Sequence, residues 1–360
     1  MSVRRELVIG NNLVNDDSGC YVIAEIGHNH QGSLEICREM FKAAKAAGVN
    51  AVKLQKRDNR TLFTREAYDK PYDNPNSYGG TYGAHREYLE FGWHEYVELQ
   101  NYARELELDF FSTAFDVPSA DFLDRLDVPA FKIASGDIKS TPLLKHVARL
   151  GKPMIISTGG ATMDDVRRAY DAIMPINPKL CIMQCTAGYP PAWEELNLKV
   201  IATFREAFQD VVIGFSSHDS GIAMAVAGYM LGARVVEKHF TLNRASKGTD
   251  HAFSLEPVGM TKMVRDLKRL KSALGDGCKS AFPSERAPIA KMGKSLVASR
   301  ALPEGHVLVS ADICMKSPGG GLPPYRLDDL IGCTLRRPVA EDHAFSDDDL
   351  REALPKGEAA

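Results

Sequence analysis

The sequence predicts a (β/α)8 TIM barrel followed by a small β-rich domain. Two observations carry the barrel. Short apolar runs alternate with amphipathic helix-like segments from residue 20 to about 275, giving eight β/α units over about 250 residues. Nearly every run also ends in a residue with chemistry, as the carboxyl ends of barrel strands do. A third observation, a change of composition after residue 275, carries the second domain.

The strand-like runs are Tyr21–Gly27, Ala51–Gln55, Asp109–Phe115, Ala130–Ser135, Pro153–Thr158, Leu180–Cys185, Val211–Ser217 and Val235–Thr241. Continuous apolar runs of this length suit parallel strands covered on both faces. Ser33–Ala47 reads as a helix capped by Ser33 and closed by Gly48. His94–Leu106 is amphipathic, and Thr162–Met174 opens with a hydroxyl followed by two acids. Gly221–Gly232 supplies the crossover between the last two strands. Glu256–Leu274 is a long final helix stopped by Gly275 and Gly277. A doubly wound open sheet is the competing architecture. It would place a Gly-rich turn after the first strand, whereas Gly27–Gly32 reads GHNHQG and not GxGxxG.

One connection, Lys56–Gly92, is too long for a plain βα loop. It carries Tyr68, Tyr72, Tyr78, Tyr82, Arg86 and Tyr88, and reads as a lid or as a partner-packing loop. The expected division is a barrel over residues 1–275, a linker over 276–290 and a β-rich domain over 291–360. The acidic tail is expected to fray. No internal repeat is expected beyond the β/α alternation.

At 360 residues the chain exceeds the usual one-domain size, and 44% apolar residues suffice for a full core. A net charge of -3 argues against a nucleic-acid binder, and any basic patch would be local and suit a small anion better than a polymer. The seven cysteines are scattered without a CxxC, which fits a reducing cytoplasm. Cys181 and Cys185 share a strand face and read as packing residues. The first residues lack a secretory apolar core, and no run approaches the roughly 18 apolar residues of a membrane span.

The chemistry lies at the strand ends. Ser216 and His218 share one face of their strand, as Glu237 and His239 do on the next. Two imidazoles on neighbouring strands are a natural divalent-metal pair. Lys53 and Gln55 share a face, Thr113 follows an apolar run, and Lys132 precedes Ser135. Ser157, Tyr189 and Asp250 complete the set. Two lysines beside an apolar layer need an anion. With Ser135, Ser157 and Ser216 they would cradle phosphate or carboxylate; a Schiff-base lysine is the other option. Glu25 pairs with Lys53 or acts as an acid or base. His28 and His30 are expected at the rim. His85, His94, His146 and His251 are expected in loops or on the surface.

Taken together, AEIGHNHQGS, VKLQ, FSTAFD, FKIASGD, ISTGGAT, CTAGYPP, GFSSHDSG and VEKHFT resemble the sialic acid synthase family. KSLVASRALPEGHVL and KSPGGGLPPYRLDDLIG are similar to its antifreeze-like (SAF) domain. The resemblance implies a condensation of phosphoenolpyruvate with an aldose. It implies that Lys53, Thr113, Lys132, Ser135, Ser157 and Ser216 hold phosphoenolpyruvate. His218 and His239 would bind a metal, Mn2+ with Mg2+ or Co2+ as alternatives. Glu25, Gln55, Tyr189 and Asp250 would lie at the sugar. The tail domain would cross to a partner barrel in a domain-swapped homodimer. Asp137, Ala187 and Ser317 depart from the family pattern, and Ser317 stands where family members carry an Arg that contacts the N-acyl group of the aldose. A metal-dependent hydrolase and a non-catalytic carbohydrate-binding protein are the rival readings. Neither needs two lysines and a hydroxyl cradle facing two histidines.

Overall fold

In the computed structural model the chain divides into two compact units, Met1–Gly275 and Asp276–Ala360. The structure describes residues 5–351. Eight strands of the first unit close into a parallel barrel: β3 (Tyr21–Gly27), β4 (Ala51–Lys56), β5 (Asp109–Ala114), β6 (Phe131–Ile133), β7 (Met154–Ser157), β8 (Leu180–Cys185), β9 (Val212–Ser217) and β10 (Val235–His239). Successive strands are neighbours, and β10 pairs with β3 to close the ring. The open-sheet alternative therefore falls. A hairpin absent from the sequence expectation precedes the barrel, β1 (Glu6–Ile9) and β2 (Asn12–Asn15). Its turn needs Gly10 at φ +54°. Leu7, Ile9 and Val14 join the barrel's core. Four-residue runs are too short to stand out from the sequence.

Two strands end two residues earlier than expected, and β5 and β7 one residue earlier. β6 gives way to a 3-10 turn at Ser135–Asp137. Beyond β10, Phe240 bonds to the Glu25 carbonyl and Thr241 to that of Leu255, so the chain peels away from the ring. Lys238 faces outward between Glu237 and His239, yet it is only 2% exposed. It forms a buried ion pair of 3.0 Å with Asp219, which also takes a hydrogen bond from Ser217. Among the described residues no helix is long and apolar enough to cross a membrane.

The long connection after β4 is not an irregular loop. It holds helices Asn59–Leu62, Arg65–Asp69 and Tyr82–Leu89, each opened by a side-chain cap from Asp58, Thr64 or Thr81. Their shortness, among Gly, Asn and Pro, hid them. His85, expected in a loop or on the surface, is buried there against Tyr72 and Tyr78.

In the second unit the segment expected to be a linker up to residue 290 contains a 3-10 turn, Pro283–Glu285, and a helix, Arg286–Met292. Two antiparallel pairs follow: β11 (Ser295–Ala298) with β12 (Ile313–Lys316), and β13 (Thr334–Leu335) with β14 (Leu350–Arg351). Leu296, Leu302, Leu308, Leu335 and Phe345 centre a separate small core.

This unit does contain an internal repeat, contrary to expectation. Arg300, His306 and Asp312 recur at the same spacing as Arg337, His343 and Asp349. In each half the Arg and the His both bond the buried Asp, at 2.7 Å and 2.7 Å in the first and 2.7 Å and 2.9 Å in the second. A backbone N–H three residues earlier bonds the same carboxylate. Gly305 and Asp342 take matching left-handed turns, φ +78° and +66°. Leu302 and Val339 exchange reciprocal backbone bonds where the halves meet.

Burial alone would raise the Asp349 carboxyl. Hydrogen bonds from His343, Ser346 and Arg337 outweigh it and hold the group at about 2. A folded pKa below the unfolded one stabilises the fold above the unfolded value, and that stability is lost as pH falls towards the folded one. Unfolding of the second unit, followed by denaturant titration of the full chain, should therefore weaken between about pH 4 and pH 2. Asp349→Asn should lower stability at neutral pH by about 1.5–3 kcal/mol and flatten that acid slope. An unchanged slope would refute the assignment.

Candidate active site

The carboxyl ends of the strands open into one cavity of about 510 Å³, an ordinary size for a small-molecule site. Glu25, Lys53, Gln55, Thr113, Lys132, Ser135, Ser157, Tyr189, Ser216, His218, His239 and Asp250 all line it. Strand register explains much of this. His239 pairs with Glu25, Glu25 with Lys53, Gln55 with Thr113, and Thr113 with Lys132. Paired residues of parallel neighbours point the same way, so these side chains share the barrel's mouth. Ser317 stands in the second unit, where its hydroxyl donates to the Met292 carbonyl at 3.3 Å.

The charged groups form a buried cluster. Lys53 Nζ lies 2.6 Å from Glu25 Oε2 and 3.9 Å from Glu237 Oε2. It also donates to Thr113 at 2.7 Å. Lys132 donates to Ser157 at 2.6 Å and to the Ile133 carbonyl at 2.8 Å. Among the described residues it has no ion-pair partner, so its charge is held by neutral groups. Ser216 donates to Glu237 at 3.2 Å. Ser135 accepts from the Gly159 N–H at 3.0 Å. A Cβ on Gly159 would sit 2.8 Å from that hydroxyl, so glycine is required to keep the cradle open.

Glu237 is the residue that sequence reasoning underrated. It shares a face with His239, but nothing in the sequence shows that it lies between two lysines. Burial pushes the Glu25 carboxyl up to about 7; Lys53 opposes the shift and Glu237 adds to it. Burial also raises Glu237, but Lys53 and Lys132 outweigh it and leave that carboxyl low. Burial lowers the Lys132 ammonium. The pair therefore divides its roles: Glu237 stays ionised, and Glu25 exchanges a proton near neutrality.

The two imidazoles face each other with ring centres 5.3 Å apart, beside Tyr189 and Phe253. Burial and the neighbouring His239 hold His218 down at about 3. Burial likewise lowers His239. Both rings are neutral at pH 7. His218 donates from Nδ1 to the Thr186 carbonyl at 2.9 Å, which leaves a lone pair on Nε2. His239 Nδ1 is buried without a hydrogen-bond partner and lies 3.8 Å from Asp250. These donors fit a divalent cation. Among the described residues no group of three or more His, Cys, Asp or Glu is gathered to hold a metal. A two-histidine site would thus leave positions to substrate and water.

The sequence reading missed Arg57, which lines the cavity with Arg86 of the long connection after β4. Arg57 sits one residue past β4, where a charged residue reads as an ordinary loop side chain. His28 does not line the cavity itself but meets Arg57 and Arg86, which do, and the expectation also fails for His30. That residue is buried and stacks on Phe91 at 4.1 Å. His251 is buried too, 2.7 Å from the Thr241 hydroxyl. The connection after β4 is tied to the loop that carries Asp250. Tyr78 donates to the Lys247 carbonyl at 2.6 Å, and the Gly248 N–H donates to Asn76 at 3.1 Å.

The NeuB family model matches residues 40–279 and the SAF domain model residues 293–351. The chain belongs to the NeuB family. Members of this family are sialic acid and other nonulosonate synthases, which condense phosphoenolpyruvate with an aldose. The chain is 40% identical over 330 residues to the N-acetylneuraminate-9-phosphate synthase of Homo sapiens, covering 91% of this chain and 92% of that protein. It is 33% identical over 322 residues to the N,N'-diacetyllegionaminic acid synthase of Legionella pneumophila, covering 88% and 90%. Its fold is similar to the crystal structure of the N-acetylneuraminic acid synthetase of Leptospira borgpetersenii, with a TM-score of 0.70 and 29% identity over 79% of this chain and 95% of that one. The expected family and barrel-plus-SAF architecture are thus correct.

For this NeuB-family site, the Glu25 titration tests the charge cluster. Carbon-13 NMR of labelled Glu side chains should place its midpoint near 7, as burial sets it. Lys53→Met removes the group that opposes the shift and should move the midpoint up. Glu237→Gln removes the neighbouring charge and should move it down. The same direction in both variants would rule out this arrangement.

Proposed function

We propose that this chain condenses phosphoenolpyruvate with an aldose and water, giving a nonulosonic acid and phosphate. The observation that carries the reading is the pair of buried lysines with their hydroxyl partners, set across one cavity from two neutral imidazoles. Lys53 and Lys132, with Thr113, Ser135, Ser157 and Ser216, hold the phosphate and carboxylate of phosphoenolpyruvate. This fixes its C3 towards the aldehyde carbon, a positioning effect. C3 forms a bond to that carbon, water adds to C2, and the bond from C2 to the phosphate oxygen breaks. Glu25 exchanges a proton with the added water or with a sugar hydroxyl. Gln55, Tyr189 and Asp250 orient the aldose. A divalent metal, Mn2+ with Mg2+ or Co2+ as alternatives, would be held by His218 and His239 and supply Lewis acidity.

The deciding assay is phosphate release from phosphoenolpyruvate that requires both an added aldose and a divalent metal. His218→Ala and His239→Ala should abolish the chelator-sensitive rate with unchanged circular dichroism. Lys53→Ala and Lys132→Ala should each weaken phosphoenolpyruvate binding by about 1.5–3 kcal/mol. Release without an aldose would favour a hydrolase instead. Binding of sugars without any turnover would favour a carbohydrate-binding protein.

We further propose that the SAF unit serves the barrel of a partner chain in a domain-swapped homodimer, with Ser317 at the aldose. A Ser offers one short hydroxyl where an Arg offers up to five donors on a long arm. N-acetylmannosamine is therefore not the best substrate; a diacetamido-trideoxyhexose or mannose are alternatives. Ser317→Arg should raise kcat/KM for N-acetylmannosamine roughly ten- to a hundredfold, in a chain that light scattering shows to be a dimer. A monomeric chain would overturn the assembly, and an unchanged kcat/KM the role of Ser317.

A further inference from the structure

The cavity has a second cationic pole, apart from the two lysines. Arg57 is 7% exposed and lies over the Phe115 ring at 3.7 Å. Its guanidinium donates to Gln55 at 2.7 Å and meets His28 Nε2 at 3.2 Å. Arg86 arrives from the helix Tyr82–Leu89. It donates to the Tyr82 hydroxyl at 2.8 Å and 3.0 Å and meets His28 Nδ1 at 3.1 Å. Every one of these partners is neutral. Among the described residues neither guanidinium forms an ion pair. Glu90, the carboxylate that acts most strongly on Arg57, is occupied by the Arg57 backbone N–H and by Lys56.

The imidazole between them cannot satisfy both. Burial and the two guanidinia keep His28 well below its ordinary range, so the ring is neutral. A neutral ring has one lone pair and one N–H. Both nitrogens face a guanidinium donor, so on one side donor meets donor. Arg57 itself is pushed down to about 10 by burial and by Arg86. Two cations share a neutral ring that can accept from only one of them. An anion with several acceptor oxygens would relieve this frustration, and a phosphate supplies them.

We propose that Arg57 and Arg86, with His28, form a binding site for a phosphate on the aldose, at the end remote from its aldehyde. The inference rests on the condensation proposed above. That reaction adds the three carbons of phosphoenolpyruvate to a six-carbon aldose. A phosphate on C6 of the aldose therefore becomes a phosphate on C9 of the product. The name of the human relative describes such a product. A 6-deoxy sugar, such as the trideoxyhexose considered above, has no oxygen there to carry one. The new pole joins the lysine cluster through Gln55, which accepts from Arg57 and donates to Glu25 at 2.8 Å.

The test compares N-acetylmannosamine with its 6-phosphate as the aldose, in the full chain with metal and phosphoenolpyruvate. Wild type should prefer the phosphate ester by tenfold or more in kcat/KM. Arg86→Gln, on the connection after β4, should remove most of that preference. The readout is the ratio of kcat/KM between the two sugars, which a general loss of turnover would not move. Arg57→Lys, which keeps the charge and loses the fork, should fall in between. Equal use of the two sugars by wild type would overturn the proposal while leaving the condensation standing. So would an Arg86→Gln variant that loses both sugars equally. Inorganic phosphate supplies the control: inhibition competitive with the phosphorylated sugar and weakened in Arg86→Gln supports the site, whereas inhibition competitive with phosphoenolpyruvate alone counts against it. If no sugar releases phosphate from phosphoenolpyruvate, it is the condensation that fails.

Discussion

The mouth of the barrel depends on the contact between Lys53 and Glu25. Each side chain is 2% exposed, and they meet at 2.6 Å. Removing an ion from water costs several kcal/mol even after relaxation, so a buried ion pair is weak evidence of stability. What it enforces is interdependence. Lys53, Lys132, Glu25 and Glu237 arrive from four strands, and removing Lys53 takes the ion-pair partner from both carboxylates at once. The near-neutral titration of Glu25 follows first from its burial, with Lys53 opposing the shift and the Glu237 charge adding to it. A polyanion entering this cluster meets lysines already engaged, so its binding and the protonation of Glu25 are thermodynamically linked.

The barrel was legible because strands obey a period of two and because polar residues at the ends of apolar runs are costly without a purpose. That logic placed Glu25, Lys53, Lys132, His218 and His239 in one mouth. It could not rank neighbours on a single face, so Glu237 passed as a companion of His239. It also could not join Arg57 to Arg86, because the folded connection after β4, and not periodicity, brings them to one imidazole. The helices of that connection were hidden by their length. The repeat in the second unit was hidden because only an Arg, a Glu, a His and an Asp are kept in each half while the residues between them differ.

The outward face of the same strands adds a constraint that sequence reading assigned to no one. Lys238 points away from the cavity between two residues that point into it. Its buried pair with Asp219 fastens the segment that follows His218 to the strand that carries His239. The two imidazoles are thereby held by a contact on the opposite side of the sheet, out of reach of any ligand.

The tie between the connection after β4 and the loop after β10 gives the cavity two halves of different character. The lysines and Thr113, Ser157 and Ser216 are borne on barrel strands. Arg86 and Asp250 are borne on connections bound to each other through Tyr78, Asn76, Lys247 and Gly248. Insertions and exchanges in such connections leave a barrel's frame intact. The reactive half is therefore hard to alter without loss, while the other half is open to revision. A lineage built on this scaffold can change the acceptor it recognises by rewriting a few connecting residues, and inherit the bond-forming chemistry unchanged.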